Sequence, residues 1–105
     1  MNAEIKARWI AALRSGKYQQ GHGYLRIKDR FCCLGVLCDV VEPSKWKQVY
    51  GVDYFRHDFY SAGFPSVVFL NRIELAQGST KELVQMNDHQ DKTFAEIANH
   101  IEANL

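Results

Sequence analysis

A glycine-rich basic segment that runs straight into an apolar one constrains this chain more than any other feature. Residues 14–26 read Arg-Ser-Gly-Lys-Tyr-Gln-Gln-Gly-His-Gly-Tyr-Leu-Arg, and residues 31–39 read Phe-Cys-Cys-Leu-Gly-Val-Leu-Cys-Asp. The first segment suits an exposed loop, whereas the second is apolar enough to be buried. The chain therefore places an open polar loop directly beside its core, which is a common way to build a small-ligand site.

The composition predicts an ordinary folded domain. Of the 105 residues, 47% are hydrophobic and 24% are charged, so one domain over residues 1–105 needs neither a metal nor a disulfide. The net charge of +1 argues against a broad basic surface for duplex nucleic acid, although a local basic patch would be hidden in this average. The sequence has no apolar run as long as a membrane span and no signal-peptide pattern. We therefore expect a cytoplasmic protein with no membrane partner, and a nucleic acid is not the favoured partner.

Helical periodicity begins at the N-terminus. Apolar residues at helical spacing, among them Trp9 and Leu13, predict a helix over residues 3–15. Asn2 is its expected N-cap, and Gly16 follows its last turn. The glycine-rich loop thus starts where a helix ends.

A β-hairpin and a buried helix are expected next. Residues 24–27 and 30–34 form two short apolar runs around a Lys-Asp-Arg turn, a pattern that favours paired strands. A buried helix is predicted to begin at Gly35 and to be stopped by Pro43.

The middle of the chain carries most of the rings. Seven of the thirteen aromatic residues fall within residues 43–64 at irregular spacing, which predicts a loop pinned by rings. So many rings in one loop also indicate an interface, and we expect a homo-oligomer that uses residues 46–64. Residues 65–76 suit either a strand or a helix. Pro65 at the first helical position and Gly78 beyond the end favour the helix.

The C-terminal third contains two candidate capping boxes, Ser79-Thr-Lys-Glu82 and Thr93-Phe-Ala-Glu96, each opening an apolar run. They predict helices over residues 80–86 and 93–104, joined by a polar turn over residues 87–91. Such a pair is similar to a helix-turn-helix, but the exposed side of its second helix is acidic rather than basic. A nucleic-acid-binding regulator that uses these two helices is therefore the alternative function.

The loop from Gly21 to Tyr24 and the cations after it form the candidate ligand site. Glycine lets backbone N–H groups approach an anion, and arginine supplies a planar fork for phosphate. Strand alternation would place Tyr24, Arg26 and Lys28 on one face, so we expect a nucleotide anion held by Arg26 and a second cation. A tight turn beside a solvated basic face explains the same residues, and this alternative stays open. The candidate ligand-binding residues are Tyr18, Gly21, His22, Gly23, Tyr24, Arg26 and Lys28, with Lys17 or Arg30 as a further cation.

Metal and acid–base chemistry find little support in the sequence. Cys32 and Cys33 are adjacent, so on a strand they point to opposite faces and cannot easily share one ion. Three cysteines, an odd number, fit a reducing compartment, and their apolar neighbours predict buried thiols. His89 stands between Asp88 and Asp91, but a polar turn between helices accounts for all three. We therefore expect no metal, no cofactor and no enzymatic activity, and we assign no catalytic residue.

Several motifs resemble those of a known family, the small and mostly uncharacterised accessory proteins of tailed bacteriophages and prophages. The resemblance covers residues 5–41 and 83–105. It implies a protein made in the cytoplasm of a bacterial host, where small phage proteins often act on host defence. The motifs are Trp9-Ile-Ala-Ala-Leu-Arg-Ser-Gly-Lys-Tyr18, Gly21-His-Gly-Tyr-Leu-Arg26, Phe31-Cys-Cys-Leu-Gly-Val-Leu-Cys-Asp39, Met86-Asn-Asp88 and Phe94-Ala-Glu-Ile-Ala-Asn-His-Ile-Glu102.

These observations combine into one expectation. The fold should be α+β, with an N-terminal helix, a short β-hairpin and three to four further helices in one compact domain. The resemblance implies a phage accessory protein that counters antiviral defence by binding. A small nucleotide signal is the favoured ligand, and a host defence protein is the next candidate.

Overall fold

Five helices and five short strands make up the part of the chain that the computed structural model describes, residues 1–56 and 62–105. This architecture confirms the predicted α+β fold, with four helices following the N-terminal helix and the hairpin. No helix among these residues is long and apolar enough to cross a membrane. In chain order the elements are α1 (Ala3–Arg14), β1 (Gln19–Gln20), β2 (Arg26–Ile27), β3 (Arg30–Phe31), α2 (Cys33–Val41), β4 (Trp46–Val49), β5 (Val52–Phe55), α3 (Val67–Arg72), α4 (Gln77–Asp88) and α5 (Phe94–Asn104).

The strands form one sheet in the order β1-β3-β2-β5-β4. The predicted hairpin is present as β2 and β3, in which Ile27 pairs with Arg30. β1 pairs with β3 in parallel, and the remaining pairs are antiparallel. The sheet therefore places the glycine-rich loop, residues 21–24, between two strands that flank β3.

Residues 46–55 of the ring-rich middle segment form a second hairpin, so the prediction of a loop over residues 43–64 was wrong for this part. β4 and β5 are joined by Tyr50 and Gly51, whose φ angles of 51° and 80° suit the two-residue turn that matches strand twist. The sequence did not reveal this turn, because only a short alternating run of four residues stands on either side of it. Phe59 and Tyr60, two more rings of the predicted loop, lie outside the described residues.

The core lies between the helices and the inner face of the sheet. Trp9 of α1 is fully buried, and its Nε1 donates to the carbonyl oxygen of Cys33 at 2.9 Å. α2 packs so closely on the segment before β2 that a Cβ on Gly35 would lie 1.7 Å from the carbonyl oxygen of Leu25. A chain of ring contacts, with centroids 5.0 to 6.1 Å apart, runs from the sheet into the core through Tyr18, Phe31, Trp46, Phe55 and Phe69.

The cysteine segment begins a helix rather than continuing a strand. β3 ends at Phe31, and Cys32 is the N-cap of α2, with its Sγ accepting from the Gly35 N–H at 3.4 Å. The predicted strand over residues 30–34 was therefore too long, and the geometric reason given against zinc does not apply. The helix ends before Pro43, as predicted.

The helix predicted over residues 65–76 is present as α3, but its start differs from the prediction. Ser66 is the N-cap, with its Oγ accepting from the Phe69 N–H at 3.2 Å, so Pro65 precedes the cap. Gly78 lies inside the next helix rather than after the end of α3. Propensity alone favoured a strand here, and the serine cap outweighs it.

The last two helices differ in how well the sequence predicts them. The capping box of Thr93 and Glu96 is confirmed in α5. The box proposed at Ser79 is wrong, because α4 begins at Gln77 after Ala76, which makes no side-chain cap. α4 also runs to Asp88, so the predicted polar turn starts later than expected.

Candidate functional site

A cavity of about 180 Å³ lies where the glycine-rich loop meets the β2–β3 hairpin. We call it the hairpin pocket. Three of the predicted ligand-binding residues meet there, together with Arg30, which the sequence offered as a further cation, and one apolar residue that the sequence did not place with them. Its lining residues are Gly21, His22, Tyr24, Ile27 and Arg30.

Gly21 fixes the floor of this loop through its backbone. Its N–H donates to the carbonyl oxygen of Phe31 at 2.7 Å, and its own carbonyl oxygen accepts from Asn87 Nδ2 at 2.9 Å. A Cβ at this position would lie 3.0 Å from the Cβ of Arg30. The loop therefore packs tightly against Arg30 at this glycine. The Gly21 amide, which the sequence analysis expected to face a ligand, is already engaged by Phe31.

Asn87 is a functional candidate that sequence reasoning missed. The side chain is fully buried, and its Oδ1 accepts from Gln20 Nε2 at 2.8 Å and from the Cys33 N–H at 3.3 Å. The residue stands in a polar run that is typical of a turn. The available signal was its spacing, since it lies four residues after Leu83, on the buried side of α4.

The loop offers open amides after Gly21. Within the described residues, no hydrogen bond engages the N–H of His22, Gly23 or Tyr24. Gly23 has a φ of 83°, a conformation that glycine adopts without strain. His22 is exposed, and the Tyr24 side chain is 43% exposed beside the pocket. The loop can therefore present backbone donors, an imidazole and an accessible ring to a small ligand.

Arg30 supplies the cation of the hairpin pocket. The residue is exposed, and the one hydrogen bond of its side chain to the described residues runs from Nη1 to the carbonyl oxygen of Gln20, at 3.5 Å. Lys28 stands in the hairpin turn with a φ of 55°, and its N–H donates to Asp53 Oδ2 at 2.9 Å. Lys28 is exposed and follows a pocket residue, Ile27, in the sequence, but it is not among the residues that line the pocket.

Arg26 and Tyr18 lie away from the pocket, on the inner face of the sheet. The Arg26 guanidinium carbon sits 4.9 Å from the Phe31 ring centroid and 5.4 Å from that of Trp46, and its Nε donates to the carbonyl oxygen of Lys28 at 2.7 Å. The prediction that Tyr24, Arg26 and Lys28 share one face was wrong. β2 is only two residues long, and the chain bends at Tyr24, so alternation does not extend through the segment.

Tyr18 belongs to a hydrogen-bonded cluster around Asp39. The Tyr18 hydroxyl donates to Asp39 Oδ2 at 2.7 Å, and Trp46 Nε1 donates to Asp39 Oδ1 at 3.1 Å. Burial, followed by the hydrogen bond to Asp39 and its negative charge, raises the pKa of Tyr18 to about 12. Tyr18 therefore keeps its proton near neutral pH, and its contacts are those of a structural residue.

The thiols are free, buried and poorly acidic. Burial raises the pKa of Cys32 to about 12 and places the pKa of Cys33 and Cys38 well above the ordinary value. A protonated thiol is a weak nucleophile and a poor metal ligand. Over residues 1–56 and 62–105, no group of three or more His, Cys, Asp or Glu residues is placed to hold a metal ion.

The C-terminal helices use their polar side chains to contact each other and α1. Arg14 donates to Asn99 Oδ1 at 2.8 Å and to Glu102 Oε2 at 3.2 Å, and His100 lies 3.4 Å from Glu82. These surface contacts engage polar side chains that a recognition helix would need for base edges. His89 is an exposed residue at the end of α4, while the neighbouring Asp88 accepts from Asn87.

The comparisons with known proteins give a family without an assigned activity. No curated protein and no solved structure matches the chain. The family described as "Domain of unknown function (DUF8296)" matches residues 1–105, and the chain therefore belongs to this family.

Proposed function

We propose that the protein acts by binding a small phosphorylated ligand, a nucleotide in particular, in the hairpin pocket. One observation carries this proposal: the exposed guanidinium of Arg30 and the exposed ring of Tyr24 border the same cavity, beside a loop whose amides at residues 22–24 form no hydrogen bond with the rest of the described chain. A guanidinium fork suits phosphate, and a tyrosine ring suits the face of a nucleobase. The pocket therefore combines the two recognition chemistries that a nucleotide requires.

The size of the pocket limits how the ligand is held. At about 180 Å³ it is smaller than the roughly 300–1,000 Å³ of typical sites for drug-sized ligands. A phosphate group or one ring fits inside, and the remainder of the ligand lies against Tyr24 and the surface. We assign Arg30 to the phosphate and Tyr24 to the base, with His22 as an adjacent polar contact.

The biological role follows from the resemblance to phage accessory proteins. Binding without turnover suits a protein that sequesters a nucleotide signal in the host cytoplasm and so counters antiviral defence. A host defence protein as the direct target is the next candidate, and regulation through the C-terminal helices is the alternative. The polar contacts of α5 with α1 and α4 argue against this alternative.

Calorimetry with inorganic phosphate, mononucleotides and cyclic dinucleotides tests the proposal. Charge-assisted hydrogen bonds contribute about 1.5–3 kcal/mol, so Arg30→Gln should weaken nucleotide binding about ten-fold or more. Arg26→Gln is the matched control, because Arg26 lies on the inner face and should leave affinity unchanged once folding is verified. Chromatography should recover the nucleotide unaltered.

Two results would contradict the proposal. The first is the absence of binding for every phosphorylated probe. The second is a loss of affinity in Arg26→Gln but not in Arg30→Gln. That result would mean that Arg26, as the sequence predicted, and not Arg30 binds the anion. Turnover of the nucleotide would refute the role in binding alone.

A further inference from the structure

The two faces of the sheet differ in what they present. On the inner face, Trp46 and Phe55 pair across β4 and β5 with ring centroids 5.2 Å apart, and Phe55 reaches the core. Because successive side chains of a strand point to opposite faces, Lys47 and Val49 lie on the outer face. Lys47 is exposed and Val49 is half-buried. The outer face at β4 therefore carries an exposed cation and a half-buried apolar residue.

A row of residues crosses four strands on this outer face. Ile27 pairs with Arg30, and Val52 pairs with Val49. Since Arg26 pairs with Asp53, the same register places Ile27 beside Val52. At the usual strand spacing the row is about 14 Å long. It begins with the Arg30 guanidinium at the pocket and continues as a half-buried apolar strip of Ile27, Val52 and Val49.

Net charge differs between two segments of the chain, the strand-bearing residues 17–56 and the helical residues 62–105. Residues 17–56 carry seven Lys or Arg against four Asp or Glu, whereas residues 62–105 carry three against six. The net charge of +1 thus conceals a strand-bearing segment at +3 and a C-terminal helical segment at −3, with residues 1–16 at +2 and residues 57–61 at −1. The average argued against a broad duplex-binding surface, but it conceals this local excess.

Most of the acidic side chains within residues 17–56 are engaged by hydrogen bonds or ion pairs. Asp39 accepts from Tyr18 and Trp46, and Asp53 is buried and accepts from the Lys28 N–H. Glu42 forms an ion pair with Arg56. Among the four, only Asp29 of the hairpin turn is exposed. The exposed cations Lys28, Arg30 and Lys47 consequently dominate the outer face and its rim.

We infer that the outer face of the sheet binds single-stranded nucleic acid, with one nucleotide in the hairpin pocket and the following phosphates along Arg30, Lys28 and Lys47. The inference rests on the proposed function and extends its ligand from a nucleotide to a strand. Surfaces for single strands combine cations that follow the backbone with rings on which bases stack. Tyr24 supplies the ring, and the apolar strip contacts further bases. A duplex hides these base faces, so it fits the surface less well.

Fluorescence anisotropy with a labelled oligothymidylate of about 12 nucleotides is the direct test. The oligonucleotide should bind at least ten-fold more tightly than thymidine monophosphate and more tightly than a duplex of equal length. The logarithm of affinity should fall with the logarithm of salt concentration with a slope of about −2, because each of three phosphate contacts contributes about −0.7.

Lys47→Gln separates this inference from the proposed function, because Lys47 lies on β4, outside the pocket lining. The variant should weaken oligonucleotide binding and reduce the steepness of the salt slope by about 0.7, while thymidine monophosphate binding stays unchanged. Lys81→Gln is the matched control, because Lys81 is also an exposed lysine but lies on α4. It should change neither oligonucleotide binding nor thymidine monophosphate binding.

The outcomes distinguish the two ideas. Equal affinity for the oligonucleotide and the mononucleotide, with no effect of Lys47→Gln, would overturn the inference and leave the pocket as a nucleotide site. Binding of the duplex as tightly as the single strand would also overturn it. If the unaltered protein binds neither the oligonucleotide nor thymidine monophosphate, the proposed function is overturned as well.

Discussion

The side-chain amide of Asn87 donates to the carbonyl oxygen of Gly21 across 2.9 Å, joining α4 to the glycine-rich loop over a separation of 66 residues. The same side chain accepts from Gln20 and from the Cys33 N–H. One buried amide therefore fixes the loop against both α2 and α4. The shape of the hairpin pocket depends on this contact, because Gly21 is part of its lining.

Asn87→Ala should lower the free energy of unfolding by about 2–4 kcal/mol. The substitution leaves the buried Cys33 N–H and the half-buried Gly21 carbonyl without their side-chain partner. Urea denaturation followed by circular dichroism measures the change. Nucleotide affinity should fall as well, because the loop loses its anchor.

The matched control for this prediction is Asn99→Ala on α5. Asn99 is exposed, and its side chain accepts one hydrogen bond from Arg14. Its loss should cost less than about 1 kcal/mol. Equal effects of the two substitutions would show that burial of Asn87 does not give it a special role.

Local signals predicted several elements of the fold correctly. The Asn2 cap accepts from the Ile5 N–H at 2.9 Å, and the reciprocal bonds of Thr93 and Glu96 open α5. In each case the interaction lies within one helical turn, so residue types at fixed spacing are sufficient to identify it. Pro43 likewise lies just beyond the end of α2, because a proline cannot continue a helix.

Tertiary contacts account for what the sequence did not show. Asn87 appears in a run typical of turns, and only its partners 54 to 67 residues away reveal that it is buried. Arg26 and Arg30 are both arginines near the glycine-rich loop, yet the pairing of β2 with β3 places Arg26 beside Phe31 on the inner face and Arg30 beside Ile27 at the pocket. Neither outcome is encoded in local spacing.

The three cysteines should not react with a thiol reagent in the folded protein. Cys32, Cys33 and Cys38 are buried, and burial raises the pKa of each thiol, so little thiolate forms near neutral pH. Labelling with a chromogenic disulfide should be slow in buffer and should reach three thiols per chain in denaturant. Rapid labelling of the native protein, or a stoichiometric zinc ion in elemental analysis, would contradict this picture.

Tyr18 should make the protein less stable at alkaline pH. Its folded pKa of about 12 exceeds the value near 10 of an unfolded tyrosine, so the folded state retains the proton that the unfolded state releases. The resulting stabilisation is complete below pH 10 and is lost as the pH rises towards 12. Denaturation of the protein and of Tyr18→Phe across this range measures the effect. The difference in free energy of unfolding between the unaltered protein and Tyr18→Phe should shrink with rising pH. A constant difference would argue against a raised pKa of Tyr18.

Among residues 1–56 and 62–105, Tyr50 at the tip of the β4–β5 hairpin is the most exposed ring and the candidate for self-association. Its side chain is 102% exposed, while Trp46 and Phe55 of the same hairpin pack inward. We predict a homo-oligomer in sedimentation experiments and a shift towards the monomer in Tyr50→Ser. A monomer at high protein concentration would count against the prediction.

Gly35 and Gly78 should respond to alanine in opposite directions. A Cβ on Gly35 would lie 1.7 Å from the carbonyl oxygen of Leu25, which is backbone and cannot move aside cheaply. Gly35→Ala should therefore lower the free energy of unfolding by at least about 3 kcal/mol. Gly78 lies in α4, and a methyl group added there would meet no atom of another segment within 4 Å, so Gly78→Ala should raise stability by about 0.5–1 kcal/mol through helix propensity. Urea denaturation of both variants measures this contrast. A tolerated Gly35→Ala would mean that α2 does not rest directly on the segment before β2, and the register of the glycine-rich loop would need to be reassigned.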